Sequence, residues 1–169
     1  CGSQKSCTTR RLAAQPVMWE PERGDYKFLL VRYAQHESGV PVFRSDLRLL
    51  VRNEPGFPLV LVASSLRNLG DYAPDASLLA TWFDPAASVD RLFDKFSQPE
   101  AVIWAGVDSS FDRPRLAWVF IAESGAPEAG DYEKWLYVAD AASGKIIYRE
   151  NQIIFTDVSG NTSGMATTG

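Results

Sequence analysis

A single histidine, His36, serves the whole 169-residue chain, and that scarcity excludes most hydrolytic chemistry. A zinc-protease helix needs two histidines four apart with a glutamate between them, which one histidine cannot supply. A Ser-His-Asp arrangement would have to recruit His36, but no Gly-x-Ser-x-Gly elbow presents a serine. His36 sits beside Glu37-Ser38-Gly39 and reads as a solvated loop histidine. Neither Gly-x-Gly-x-x-Gly nor a P-loop occurs, so a nucleotide finds no backbone cradle. The formal net charge is −4. That offers no phosphate-binding face, so nucleic acid is not expected as a partner. The longest apolar runs, Leu59–Ala63 and Ala117–Ala122, are strand-sized and far short of the roughly 20 residues of a membrane-spanning helix. Asp71, Asp75, Asp84, Asp90 and Asp94 are spaced as surface charges. Asp108 and Asp112 flank Ser109-Ser110-Phe111, where turn chemistry accounts for them better than a calcium loop does. The expectation is a chain without catalytic residues, cofactor or metal.

Cysteine is equally scarce: Cys1 and Cys7, both in a polar head. Three readings stay open. They are incidental thiols, or a local disulfide in an oxidising compartment, or Cys1 is the lipid-modified first residue of a bacterial lipoprotein. The small, polar Gly2-Ser3-Gln4 suits the third.

What the chain does have is apolar bulk. Apolar residues make up 46% and aromatic residues 12%, enough for a core in one large domain or two small ones. Residues 1–24 read as a polar head with one short element at most. Residues 26–35, "YKFLLVRYAQ", are β-rich. In 40–52, "VPVFRSDLRLLVR", apolar residues alternate with polar ones, and Arg44-Ser45-Asp46 marks a bulge or bend. Asn53-Glu54-Pro55-Gly56 is a turn, and 58–66 a third strand. Residues 26–66 are therefore read as a three-stranded antiparallel meander, within a first module over 25–70. Residues 71–87, with Pro74 and Pro85, read as a linker with a turn of helix at Ala76–Trp82. From 88 the reading is one helix, capped by Ser88 and striped by Val89, Leu92, Phe93 and Phe96. Four strands follow, at 101–107, 115–123, 134–140 and 145–150. The expected fold is α+β: two antiparallel-sheet modules in tandem, the second cystatin-like with one helix on a four-stranded sheet over 88–155. Residues 156–169 form a Gly-, Ser- and Thr-rich tail or junction to a following domain.

The segment "WLYVADAASGKIIYRENQI" carries an aromatic strand, an Asp, a Ser-Gly-Lys turn and an Ile-rich return closing on Asn-Gln. Its residues are Trp135, Tyr137, Asp140, Ser143-Gly144-Lys145, Ile146, Ile147, Asn151 and Gln152. It resembles the end of a PepSY domain in the propeptide of thermolysin-type metalloproteases, and "PRLAWVFIA" resembles the strand before it. Upstream, "VRYAQHESGVPVFRSDLRLLV" resembles the fungalysin/thermolysin propeptide module through Tyr33, Gln35, Gly39, Val40, Pro41, Val42, Phe43 and Asp46. The resemblance departs from the family pattern at residues 8–24, where the usual leading helix is weak, and in a short linker between modules.

The resemblance implies a non-catalytic prodomain, an intramolecular chaperone and inhibitor of a thermolysin-like zinc metalloprotease domain in cis or trans. The place implied is secreted, or at the surface or periplasm of a bacterium, with no membrane span and Cys1 as a candidate lipid anchor. The alternative is a free-standing secreted or surface lipoprotein module that inhibits proteases in trans. Aromatic anchors dominate interface hot spots, so Trp104, Trp118, Trp135 and Tyr137, with Asn151 and Gln152, are the candidate partner-binding residues. Gly39, Pro41, Phe43, Asp46, Asp140 and Gly144 are the expected structural residues of the two motifs.

Overall fold

The computed structural model describes residues 7–153. Cys1 and the tail 156–169, for which lipidation and a junction are expected, lie outside the described residues. The chain opens with four antiparallel strands: β1 (Cys7–Glu20), β2 (Asp25–Glu37), β3 (Val40–Arg52) and β4 (Leu59–Ser64). The stretch assigned to the polar head thus contributes a 14-residue strand. Between β2 and β3 the turn is the dipeptide Ser38-Gly39, with φ of 51° and 83°. Positive φ at both central residues is the two-residue turn whose twist matches its flanking strands.

At Arg44 (φ 49°) the expected bend appears. Ala34 pairs with Asp46 and His36 with Pro41, so Val42–Ser45 bulge away from β2 opposite Gln35 alone. That bulge gives β3 two neighbours in succession. Leu47–Val51 pair with β4, while Val42 pairs in parallel with Ile103 of the second half.

The second half holds two short helices, α1 (Ala76–Leu79) and α2 (Pro85–Ser88), then β5 (Lys95–Phe96), β6 (Glu100–Trp104), β7 (Arg115–Ser124), a 3-10 turn at Pro127–Ala129, β8 (Glu133–Asp140) and β9 (Ile146–Asn151). All nine strands form one mixed sheet, ordered β1-β2-β3-β6-β7-β8-β9, with β4 on β3 and β5 on β7.

This corrects the expected α+β pair of tandem modules. The four strands of the second half form, but the helix expected from Ser88 to Phe96 does not. Asp84 caps α2 through Ala86 N (3.0 Å), with Pro85 in its first turn, and Val89 is already extended. Leu92 is 99% exposed, and Lys95 and Phe96 pair with Glu123 and Ala122. Between Pro85 and Pro99 the chain is at the length where isolated helices are marginal. Val89 and Phe93 from irregular chain, and Phe96 from β5, instead pack on Phe120 and Tyr137.

The core lies wholly in the second half and at its junction with β3. Along one face of the sheet, Val40, Val42, Leu69, Ile103 and Leu116 continue into Phe120, Tyr137 and Ala139. Tyr72, Leu78, Leu79, Phe83, Val89, Phe93 and Phe96 of the 72–96 segment cover them. On the other face Phe43, Val102, Trp104, Ala117 and Val138 are buried, with Tyr148 against them. Beyond the bulge the picture changes. No described residue of β1 or β4 is buried. In β2 the buried residues are Gln35 and Glu37, and none of β3 is buried after Asp46.

Candidate interaction site

Two features converge where β3 changes neighbours: a sheet without a covering layer, and a cleft lined with arginines. The register puts Leu29, Val31, Tyr33, Leu47, Leu49, Val51 and Val62 on one face of the β2–β4 sheet. Phe28, Leu30, Arg32, Arg48, Leu50 and Leu61 lie on the other. None of these residues belongs to a buried cluster. In β4, Leu59, Val60, Leu61 and Val62 are 48–58% exposed, and among the described residues only β3 pairs with this strand. A sheet buries its apolar faces against a further layer. Among the described residues no such layer is present on either side, and an apolar edge of this kind is a ready template for an added strand.

The cleft, about 490 Å³, is lined by Arg32, Arg44, Arg48 and Arg67, with Asp46, Asp108, Ser45 and Ser65 among its other walls. Gln35, facing the bulge, organises it. Its Nε2 donates to Arg67 O (2.8 Å), its Oε1 accepts from Arg67 N (2.8 Å), and Ser45 Oγ donates to the same Oε1. The amide thus pairs with the backbone at Arg67 as a strand residue would. Asp46 is 6% exposed. It takes Arg32 Nη2 at 2.8 Å, Arg48 Nε at 2.9 Å and Ser65 Oγ at 3.0 Å. Burial works against its ionisation, but the hydrogen bonds from Arg48, Arg32 and Ser65 prevail and hold its carboxyl below the usual range. Arg44 crosses to β9, where it engages Glu150 and Tyr148. That hydrogen bond with Arg44 lowers the Glu150 carboxyl in turn.

Of the expected partner-binding residues, Trp104 (5% exposed) and Tyr137 (4%) are core. The Trp104 Nε1 donates to Asp112 Oδ2 at 2.9 Å, so Asp112 serves its own loop. Tyr137 stacks on Phe120. Trp118 and Trp135 are half-buried on the covered face, the first stacked on Phe83 and the second under Arg149. Trp104 thus lies on one face of the sheet and Trp118, Trp135 and Tyr137 on the other. Asn151 faces Trp135 in the ladder, and Gln152 N donates to Lys134 O at 2.8 Å.

The motif residues form turns and junctions. Gly39 completes the β2–β3 turn, Pro41 pairs with His36, and Phe43 lies at 5.7 Å from Trp104 ring to ring. Asp140 Oδ1 accepts from Ala142 N, Ser143 N and Ser143 Oγ (3.1, 2.8 and 2.8 Å), and Gly144 follows at φ 71°. His36 Nδ1 lies 3.2 Å from Ala34 O.

Sequence reasoning missed the arginines, because each alone reads as an outward strand charge. A signal was there. The Ser38-Gly39 turn with one bulge sets Arg32 opposite Arg48, and like charges directly opposite destabilise a ladder unless something neutralises them. Asp46 does so.

Among the described residues no group of three or more His, Cys, Asp or Glu is placed to hold a metal ion, and no helix is long and apolar enough to cross a membrane. No protein-family model matches the chain, and no curated protein does either.

Proposed function

We propose that this chain is a non-catalytic prodomain, a folded binding module that chaperones and inhibits a thermolysin-like zinc metalloprotease, secreted or held at a bacterial cell surface. The observation that carries the binding role is the uncovered β1–β4 sheet, with the apolar row Leu59–Val62 exposed along its edge. Apolar area of this kind is stabilised when a partner supplies the missing layer or strand, at about 25 cal/mol per Å² removed from water. The choice of partner comes from the resemblance. Its motif residues occupy structurally demanding places: Gly39 in the tight turn, Gln35 and Asp46 buried in the junction, Asp140 and Gly144 in the β8–β9 turn. A rigid surface that binds the native enzyme would also draw its folding forward, since preferential binding to the native state shifts the equilibrium toward it.

The test is titration of a mature thermolysin-like protease with the purified chain, beside refolding of the denatured protease with and without it. The expected outcome is slower peptide hydrolysis and a higher yield of active enzyme. Absence of calorimetric heat at tens of micromolar, together with unchanged protease kinetics, would favour a free-standing module with another partner.

A further inference from the structure

Arg67 holds an unusual position in the cleft. It is 6% exposed. Its Nη1 donates to Ser110 O and its Nη2 to Asp108 O, both at 3.1 Å, and its plane lies over the Phe111 ring at 5.4 Å. Its buried Nε–H has no acceptor among the described residues. A buried donor left unpaired is costly, more so when charged, so a guanidinium held by two carbonyls and a ring with one N–H unused is a site wanting an acceptor. Arg48 lies in the same cleft wall. Its side chain is 52% exposed, and it reaches Asp46 through Nε.

We propose that this cleft binds the carboxylate of an aspartate or glutamate side chain carried by an extended peptide segment of a partner protein. Three observations fix the ligand class. With Arg44 engaged by Glu150, the lining sets the guanidinium groups of Arg32, Arg48 and Arg67 against the carboxylates of Asp46 and Asp108, leaving an excess of positive charge for an anion. Guanidinium N–H groups also match carboxylate oxygens geometrically, as Asp46 already demonstrates with Arg32 and Arg48. Finally, the cleft runs into an apolar strip. Leu50 and Leu61 continue the face that carries Arg32 and Arg48. The segment it fits is an acidic residue flanked by apolar ones. This inference goes beyond the prodomain reading, because it holds for any partner that presents such a segment.

The experiment uses the free peptide Ac-Leu-Glu-Leu-NH2 as probe, with Ac-Leu-Gln-Leu-NH2 and inorganic phosphate as comparators, at low ionic strength. The readout is the Nε–H resonance of Arg67. The glutamate peptide should shift it along a saturable curve, with the glutamine peptide at least about tenfold weaker. Arg48→Ala, at an exposed side chain, should weaken the glutamate peptide about tenfold while leaving the amide spectrum folded. In Arg67→Lys, which lacks that reporter, the backbone amide resonances of Arg48 and Ser65 should shift without saturating. Should that variant unfold, Arg48→Ala still decides. No saturable shift with the glutamate peptide at millimolar concentration, equal response to the glutamine peptide, or tighter binding of phosphate than of the glutamate peptide would each overturn the proposal.

Discussion

The two halves of this sheet solve the same problem differently. Strands β6–β9 bury their apolar residues under chain of their own, with the 72–96 segment laid on one face and Phe43, Trp104 and Tyr148 closing part of the other. Strands β2–β4 carry apolar residues on both faces, yet nothing in the described chain is laid over them. Their order comes from ladder hydrogen bonds and cross-strand pairs, each pair contributing roughly 0.2–1 kcal/mol, and from attachment to the core through the bulge in β3. The difference teaches where stability and function part company. Stability resides in the covered half. The uncovered half has surface that has been left available.

The sharpest way to break that comparison is to cut into the covered half. Phe120 is 1% exposed and meets Tyr137, Phe83 and Phe96 at ring separations of 5.6–6.3 Å. Phe120→Ala should cost about 3–5 kcal/mol by emptying that cluster, read as a lowered urea midpoint. A loss under about 1 kcal/mol would place the core elsewhere.

The β8–β9 turn comes next. Gly144 has φ of 71°, and a Cβ there would meet nothing closer than Ser88 Oγ at 3.8 Å. The constraint is therefore conformational rather than steric crowding. Gly144→Val should cost about 1–3 kcal/mol, while Gly144→Asn, better tolerated in the left-handed region, should cost less. Equal melting curves for both variants and wild type would refute the turn's role.

How much of this was legible in the sequence depends on the range of the interaction. The strands β2, β3, β4 and β6–β9, the turn at Ser38-Gly39 and the bend at Arg44 follow from local alternation and turn chemistry. The helix expected from Val89, Leu92, Phe93 and Phe96 failed because its spacing also serves an irregular chain draped over Phe120 and Tyr137. Periodicity cannot choose between those without knowing what lies beneath. β1 was hidden because Arg10, Arg11, Gln15 and Pro16 interrupt the alternation of a strand that buries no described residue. The single sheet was illegible for a deeper reason. The parallel bridge between Val42 and Ile103 joins residues far apart in sequence, and a bulge read locally does not name its distant partner. The site divided in the same way. Gln35 and Asp46 stood within a recognisable motif, but the arginines gathered around them only through register.

Acid offers a finer test of the junction between the halves. The folded state lowers the carboxyls of Asp46 and Glu150. A carboxylate depressed in the native state adds stability that is fully present above its unfolded value, near 3.9–4.3, and lost as pH falls through the lower folded value. The urea midpoint should therefore fall on acidification below about pH 4. In Asp46→Asn that dependence should be flatter, at the expense of stability at neutral pH, because an amide accepts less strongly from Arg32 and Arg48. A wild-type midpoint unchanged between neutral pH and pH 3 would show that these pairs contribute nothing at the junction.

The smallest expected effect on stability falls on the uncovered half, and it separates the halves most cleanly. Leu61 and Val62 are 57% and 51% exposed on opposite faces of β4. Replacing either with threonine keeps the β-branched or strand-compatible character of the position while removing apolar surface. Because little is buried there, Leu61→Thr and Val62→Thr should each change folding stability by no more than about 0.5 kcal/mol. Binding should respond differently. If a partner supplies the missing layer, each substitution removes apolar contact from the interface without disturbing the free module. Inhibition of a thermolysin-like protease should then weaken severalfold while the melting curve stays in place. The two faces are distinguishable: an effect confined to Leu61→Thr puts the partner on the face of Arg32 and Arg48, and one confined to Val62→Thr puts it on the face of Leu29, Val31 and Tyr33. A loss of several kcal/mol in folding from either variant would mean that β4 is covered after all, and the contrast between the halves would fail.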